Sequence, residues 1–181
     1  MKSAFAIVAG FALAVVLAFG PAAARNWKST PQDLAQDYSQ ILDNRGKGEL
    51  VMIWWISSPV MPQYPDAQKV LDRYVIIGVV HANVTPGGTM EFDPDSTVTV
   101  KDGAGTTLTE LPVNSQPPVV AGMLTTLEGV LRGALGSMGQ GIHWLVFEGG
   151  NTSACTKGEL SVQYSGETYT YQTPIPGCPA G

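Results

Sequence analysis

Two histidines, a triplet of acids, one serine and two cysteines are the residues whose types and spacing could do chemistry in this chain. His81 and Asn83 alternate with Ile77 and Val79 along one face of an apolar run, and His143 opens a later run beside Trp144. Histidines carried on separate strands can converge with a carboxylate on a metal ion or act as a catalytic dyad. Glu91, Asp93 and Asp95 are spaced by two, so an extended backbone throws all three carboxylates to one side, an arrangement that a hard cation such as calcium accepts. Pro94 inside the run, and the missing glycine and distal bidentate acid of a helix-loop-helix calcium site, favour a solvated turn. Ser137 stands in Leu135-Gly136-Ser137-Met138-Gly139. Leucine there takes the place of the first glycine of a nucleophile elbow, and the serine follows a helix instead of a strand. The enzymatic reading is therefore a small metal-dependent or serine hydrolase using His81, His143 and the Glu91, Asp93 and Asp95 acids. Gly136 to Gly141 carries the dinucleotide fingerprint in reversed spacing with no strand before it, so no cofactor is expected.

The second class of chemistry is recognition. Trp54 and Trp55 are adjacent in an apolar run, so in a strand they point to opposite faces. If the proline-broken stretch from Ser57 to Pro65 rims a cleft, Trp55, Met61 and Tyr64 make an adaptable apolar surface for a protein or small-molecule ligand. The catalytic residues form no coherent constellation, so the sequence favours a non-catalytic binding or assembly role.

The elements that must position these residues follow an N-terminal leader. Lys2 gives a basic start, Ala4 to Gly20 is an unbroken run of apolar and small residues, and Pro21-Ala22-Ala23-Ala24 offers a small-residue processing site. That order is a secretory signal peptide over residues 1–24, leaving residues 25–181 as one globular domain with Arg25 at its start. The expected address is the periplasm or the exterior, with no membrane association after cleavage. The whole chain has a formal net charge of -5, and loss of Lys2 makes the remainder more acidic still. No basic run is present, which argues against nucleic acid and against anionic membrane surfaces.

Cys155 and Cys178 flank two alternating runs, Glu159 to Tyr164 and Glu167 to Thr173, on either side of Ser165-Gly166. This reads as a β-hairpin whose open end brings the thiols together, so an oxidising compartment closes a disulfide. Thr30-Pro31 starts a helix with Leu34, Tyr38, Ile41 and Leu42 on one face, stopped by Asn44-Arg45-Gly46. Glu49 to Ser57 is apolar on both alternating faces, which predicts a strand covered on both sides. A short helix is expected over Asp66 to Tyr74 and a second apolar strand over Val75 to Val84. Thr89 to Phe92, Thr97 to Lys101 and Thr106 to Leu111 read as a meander, followed by a long helix from Val119 to about Met138 and a strand from His143 to Glu148. The fold class is α+β, a mainly antiparallel sheet with two to three helices packed on one face, closed by the disulfide-bonded hairpin.

The long helix has one unusual side. Val120, Leu124, Leu127, Leu131, Ala134 and Met138 form an apolar stripe, while Gly122, Thr126, Gly129, Gly133 and Gly136 fall together half a turn away. Each interior glycine costs about 1 kcal/mol of helix propensity relative to alanine, which implies a close neighbour in compensation. Gly129 and Gly133 are the expected contact, either within the chain or with a second copy in a homo-oligomer.

Overall fold

The computed structural model describes residues 38–44, 47–93 and 97–179. They form three layers: a helical layer, a central antiparallel sheet, and a second antiparallel sheet. The central sheet holds β1 (Ser39–Asn44), β2 (Glu49–Ile56), β3 (Tyr74–Val84), β4 (Met90–Phe92) and β6 (His143–Glu148). The second sheet holds β5 (Thr99–Lys101), β7 (Gly158–Tyr164) and β8 (Glu167–Thr173). Two α-helices, α1 (Pro65–Leu71) and α2 (Pro118–Leu135), make the remaining layer.

The two-faced apolar pattern of β2 has its physical cause in this arrangement. Val51, Ile53 and Trp55 enter the core between the sheets, whereas Leu50, Met52, Trp54 and Ile56 enter the core beneath the helices. β3 divides in the same way, with Val75, Ile77 and Val79 toward the second sheet and Ile76, Val80 and Ala82 toward the helices. β3 is also the hub of the sheet. Along one edge it pairs with β2, and along the other it pairs first with β6 and then with β4. Gly78 lies opposite Trp144, and a Cβ there would sit 2.7 Å from the indole, so the tryptophan can fold over the strand only because position 78 has no side chain.

The hairpin of β7 and β8 turns at Ser165 and Gly166, with Tyr164 opposite Glu167. Both turn residues take positive φ, 49° and 80°, the twist a two-residue hairpin loop requires. Cys155 and Cys178 are disulfide-bonded, with Cα atoms 5.3 Å apart. α1 starts at Pro65 with Asp66 in its first turn, and α2 starts at Pro118, each proline at a position where no backbone donor is needed. The stretch Pro118–Gly141 is long and apolar enough to cross a membrane by length and composition.

Three expectations are corrected. Residues 39–44 are an edge strand, not the end of a helix; the proposed start at Thr30-Pro31 and the leader lie outside the described residues. Pairing with β2 along six positions overrides the helical pattern, turning Tyr38 and Leu42 to the inter-sheet core and leaving Ile41 exposed. The meander is divided between layers: β4 joins β3 in the central sheet, β5 joins β7 in the second, and 106–111 makes only isolated bridges. The helices do occupy one face of the central sheet, but the other face is covered by that second sheet. Finally, a Cβ added at Gly122, Gly129 or Gly133 would meet nothing within 4 Å among the described residues, so none of these offsets the propensity cost.

Candidate functional site

The residues picked out for chemistry are distributed over different layers. His81 projects between the two sheets, where its Nδ1 lies 3.0 Å from the Tyr164 hydroxyl and its Nε2 lies 3.3 Å from Glu49 Oε1. The tautomer that satisfies both contacts has the Tyr164 hydroxyl donating to Nδ1 and Nε2–H directed at the carboxylate. Carboxylate, imidazole and hydroxyl in that order would activate a nucleophile in an open cleft. Here the hydroxyl belongs to a tyrosine only 3% exposed, so a substrate has no approach to it. The arrangement ties β2, β3 and β7 together. Tyr171 adds a second tether, its hydroxyl donating to the Ile53 carbonyl at 2.7 Å, and Tyr38 adds a third by donating to the Pro176 carbonyl at 2.5 Å.

Burial raises two phenols of this inter-sheet layer. It pushes the Tyr169 phenol up to about 12, with further upward contributions from Glu167, Glu49 and Tyr164. Burial also drives the Tyr171 phenol upward, more than its backbone hydrogen-bond environment lowers it.

His143 is exposed at the start of β6, opposite Val79. Glu91 is exposed on β4 opposite Asn83, and Asp93 follows the strand, its amide donating to the His81 carbonyl at 2.9 Å. Asp95 lies outside the described residues. Ser137 is exposed in the 3-10 turns of Gly136–Gly141 that follow α2, on the helical side of the central sheet, while His81 faces the opposite side. Among the described residues no three of His, Cys, Asp and Glu come together as metal ligands.

The recognition residues are arranged differently. Met61 and Tyr64 line a groove of about 820 Å³ between the Val60–Ala67 stretch and α2. The helix contributes Gly122, Met123, Leu127 and Val130 to its other wall. Tyr64 is 64% exposed and Val130 47%, so both present apolar surface to solvent at the groove. The missing side chain at Gly122 leaves room for the groove, so the glycine side of the helix and the proline-broken stretch, separate in sequence, form one surface. Trp55 does not join them: it is buried on the opposite face of the sheet and borders a second cavity with Ser57. The trio expected from sequence is thus divided between two concavities, one on each side of the Ser57–Pro65 segment.

The chain matches no family model, no curated protein and no solved structure. Sequence reasoning found Met61 and Tyr64 but missed Gly122, Met123 and Val130 as their partners. The glycine strip carried part of that signal: Gly122 lines the groove, whereas Gly129 and Gly133 do not.

Proposed function

We propose that this chain is an exported binding protein, periplasmic or secreted, with a non-catalytic role in the cell envelope, and that the groove against α2 receives an apolar ligand. The Cys155–Cys178 disulfide supports an oxidising, non-cytoplasmic setting, and the leader-like start of the sequence agrees with it. The observation that carries the reading is the groove. Its size falls in the range of small-molecule sites, and two methionines on facing walls give a surface that can repack around different shapes. Val130 and Thr126 add an exposed, uncharged stretch of wall, and the carboxylate on the lining, Asp66, is paired with Lys69 at the solvent edge.

Titration with the neutral apolar dye N-phenyl-1-naphthylamine tests this. Saturable fluorescence enhancement is expected for the wild type, and Val130→Lys should weaken it by about tenfold while the melting temperature stays unchanged, since position 130 faces solvent. A wild type that gives no saturable signal, or a variant that binds equally well, overturns the reading.

A further inference from the structure

The second sheet has two edges, and they are finished differently. Beyond β5 the segment 106–111 runs alongside: the Leu108 N–H donates to the Val100 carbonyl at 2.8 Å, and Lys101 bridges Thr107. The same segment goes on to cover β6, where the Leu111 N–H donates to the Val146 carbonyl at 2.7 Å and the Glu148 N–H to the Thr109 carbonyl at 2.9 Å. The opposite edge is β8, which pairs with β7 from Glu167 to Thr173 and has no strand on its other side among the described residues.

The hairpin fixes which groups that edge presents. Tyr164 and Glu167 close a two-residue loop and so exchange both ladder bonds, as does every second pair after them. Glu167, Tyr169, Tyr171 and Thr173 therefore direct their backbone groups at β7, whereas the N–H and C=O of Thr168, Thr170 and Gln172 point away from it. A separate contact marks the same direction: Gln40 Nε2, from β1, donates to the Thr170 carbonyl at 3.3 Å. No other described residue hydrogen-bonds to these outward backbone groups, and Thr168, Thr170 and Gln172 are all exposed.

Edge strands are ordinarily blunted by a lysine, a proline, a bulge or a covering loop. β8 has none of the first three: it reads Glu-Thr-Tyr-Thr-Tyr-Gln-Thr, is rich in the β-branched and aromatic residues that favour extension, and keeps unbroken register with β7. Its order is also self-complementary. Laid antiparallel on a copy of itself about Thr170, the strand sets Thr170 against Thr170 of the second copy, Thr168 against Gln172 and Glu167 against Thr173. The outward backbone groups then meet in hydrogen-bonded pairs, threonine meets threonine on the exposed face, and the two Glu167 carboxylates are held at opposite ends. We propose that β8 is a dimerisation edge, on which the β8 of a second copy adds as an antiparallel strand and joins the two three-stranded sheets into one. This edge lies across the central sheet from the groove and does not depend on the groove's occupant.

Sedimentation velocity of the wild-type protein at concentrations up to roughly 1 mM, with amide exchange read residue by residue by NMR, tests it. A monomer–dimer equilibrium is expected. As concentration rises, exchange at Thr168, Thr170 and Gln172 should slow, while Tyr169 and Tyr171, already bonded to β7, should not change. Thr170→Lys places two like charges face to face at the centre of the pairing, and Thr170→Pro removes an N–H that points away from β7, so each should weaken the dimer by about tenfold or more. Position 170 is exposed, so both variants should keep the wild-type circular dichroism spectrum. Should Thr170→Pro lose it, Thr170→Lys alone decides. Gly129→Ala should leave the dimer intact. A wild type that stays monomeric throughout, a dimer in which the three outward amides exchange as fast as in dilute solution, or a dimer undiminished by Thr170→Lys overturns the proposal. So does a dimer that Gly129→Ala abolishes.

Discussion

The two faces of the central sheet are built to different standards. Toward the second sheet, Ile53, Ile77 and Val100 are fully buried, and Tyr171, Tyr38 and the His81–Tyr164 pair lash backbone and side chains across the layer. Toward the helices, Val120 and Leu131 are as deeply buried, but Leu124 retains 8% exposure, the outer side of α2 is glycine, and a groove opens beside it. One face is closed by polar tethers and a disulfide; the other is a lid of helices with room beneath its edge. The difference teaches that alternating side chains of the same strands can build a tethered core on one face and an open-edged one on the other.

The comparison is sharpened most by truncating each core in turn. Ile53→Ala should cost about 4 kcal/mol, near the upper part of the 2–5 kcal/mol range for such changes, because rigid sheets on both sides cannot collapse into the space. Leu124→Ala should cost nearer 2 kcal/mol, since the helix can settle and solvent already reaches the site. Urea unfolding measures both, and equal losses would mean that the two layers are packed alike.

A smaller effect should follow from pH and belong to the closed face alone. Folding raises Tyr169 from its ordinary 10.0 to about 12 and raises Tyr171 in the same direction, mainly by burial. The folded chain then keeps protons that the unfolded chain releases, so this stabilisation is complete below about pH 10 and is lost as pH rises through about 12. Melting temperatures between those limits should fall for the wild type. The double substitution Tyr169→Phe and Tyr171→Phe should flatten the decline, and an unchanged slope would exclude these phenols as its source.

The smallest change should be a gain. Gly129→Ala adds a methyl that meets nothing within 4 Å among the described residues and removes a helix penalty, so stability should rise by about 1 kcal/mol. Gly139→Ala, just beyond the helix, should do the reverse, because its methyl would run into the backbone of Leu131 and Arg132. Thermal melts with a sizing run read both. A Gly129→Ala protein that is less stable, or that loses a dimer, would place a second copy of the chain on the glycine strip.

Much of this was legible in the residues. β2, β3 and β6 announced themselves through unbroken apolar runs, and the hairpin through Ser165-Gly166 between alternating strands. The demand that β2 be covered twice was also readable, but the identity of the second cover was not, because β5 and β7 lie about sixty residues apart in sequence and only their pairing makes a sheet. β1 is hidden because Tyr38, Ile41 and Leu42 fit a helix face, whereas in the strand only Tyr38 and Leu42 face the core, and pairing with β2 makes the choice. The site was half legible. Met61 and Tyr64 stood out by type, whereas Trp55 was assigned to them although strand alternation alone left its face undetermined.

The position of β3 has a consequence for how the molecule comes apart. Its amides are shielded on one edge by β2 and on the other by β6 and β4, with a core above and below. Local fraying can strip β4, lift a helix or peel the hairpin without baring that backbone. Deuterium should therefore enter β3 only when the entire domain opens, which makes the exchange of its innermost amides, Ile76 to Val80, a direct gauge of global stability.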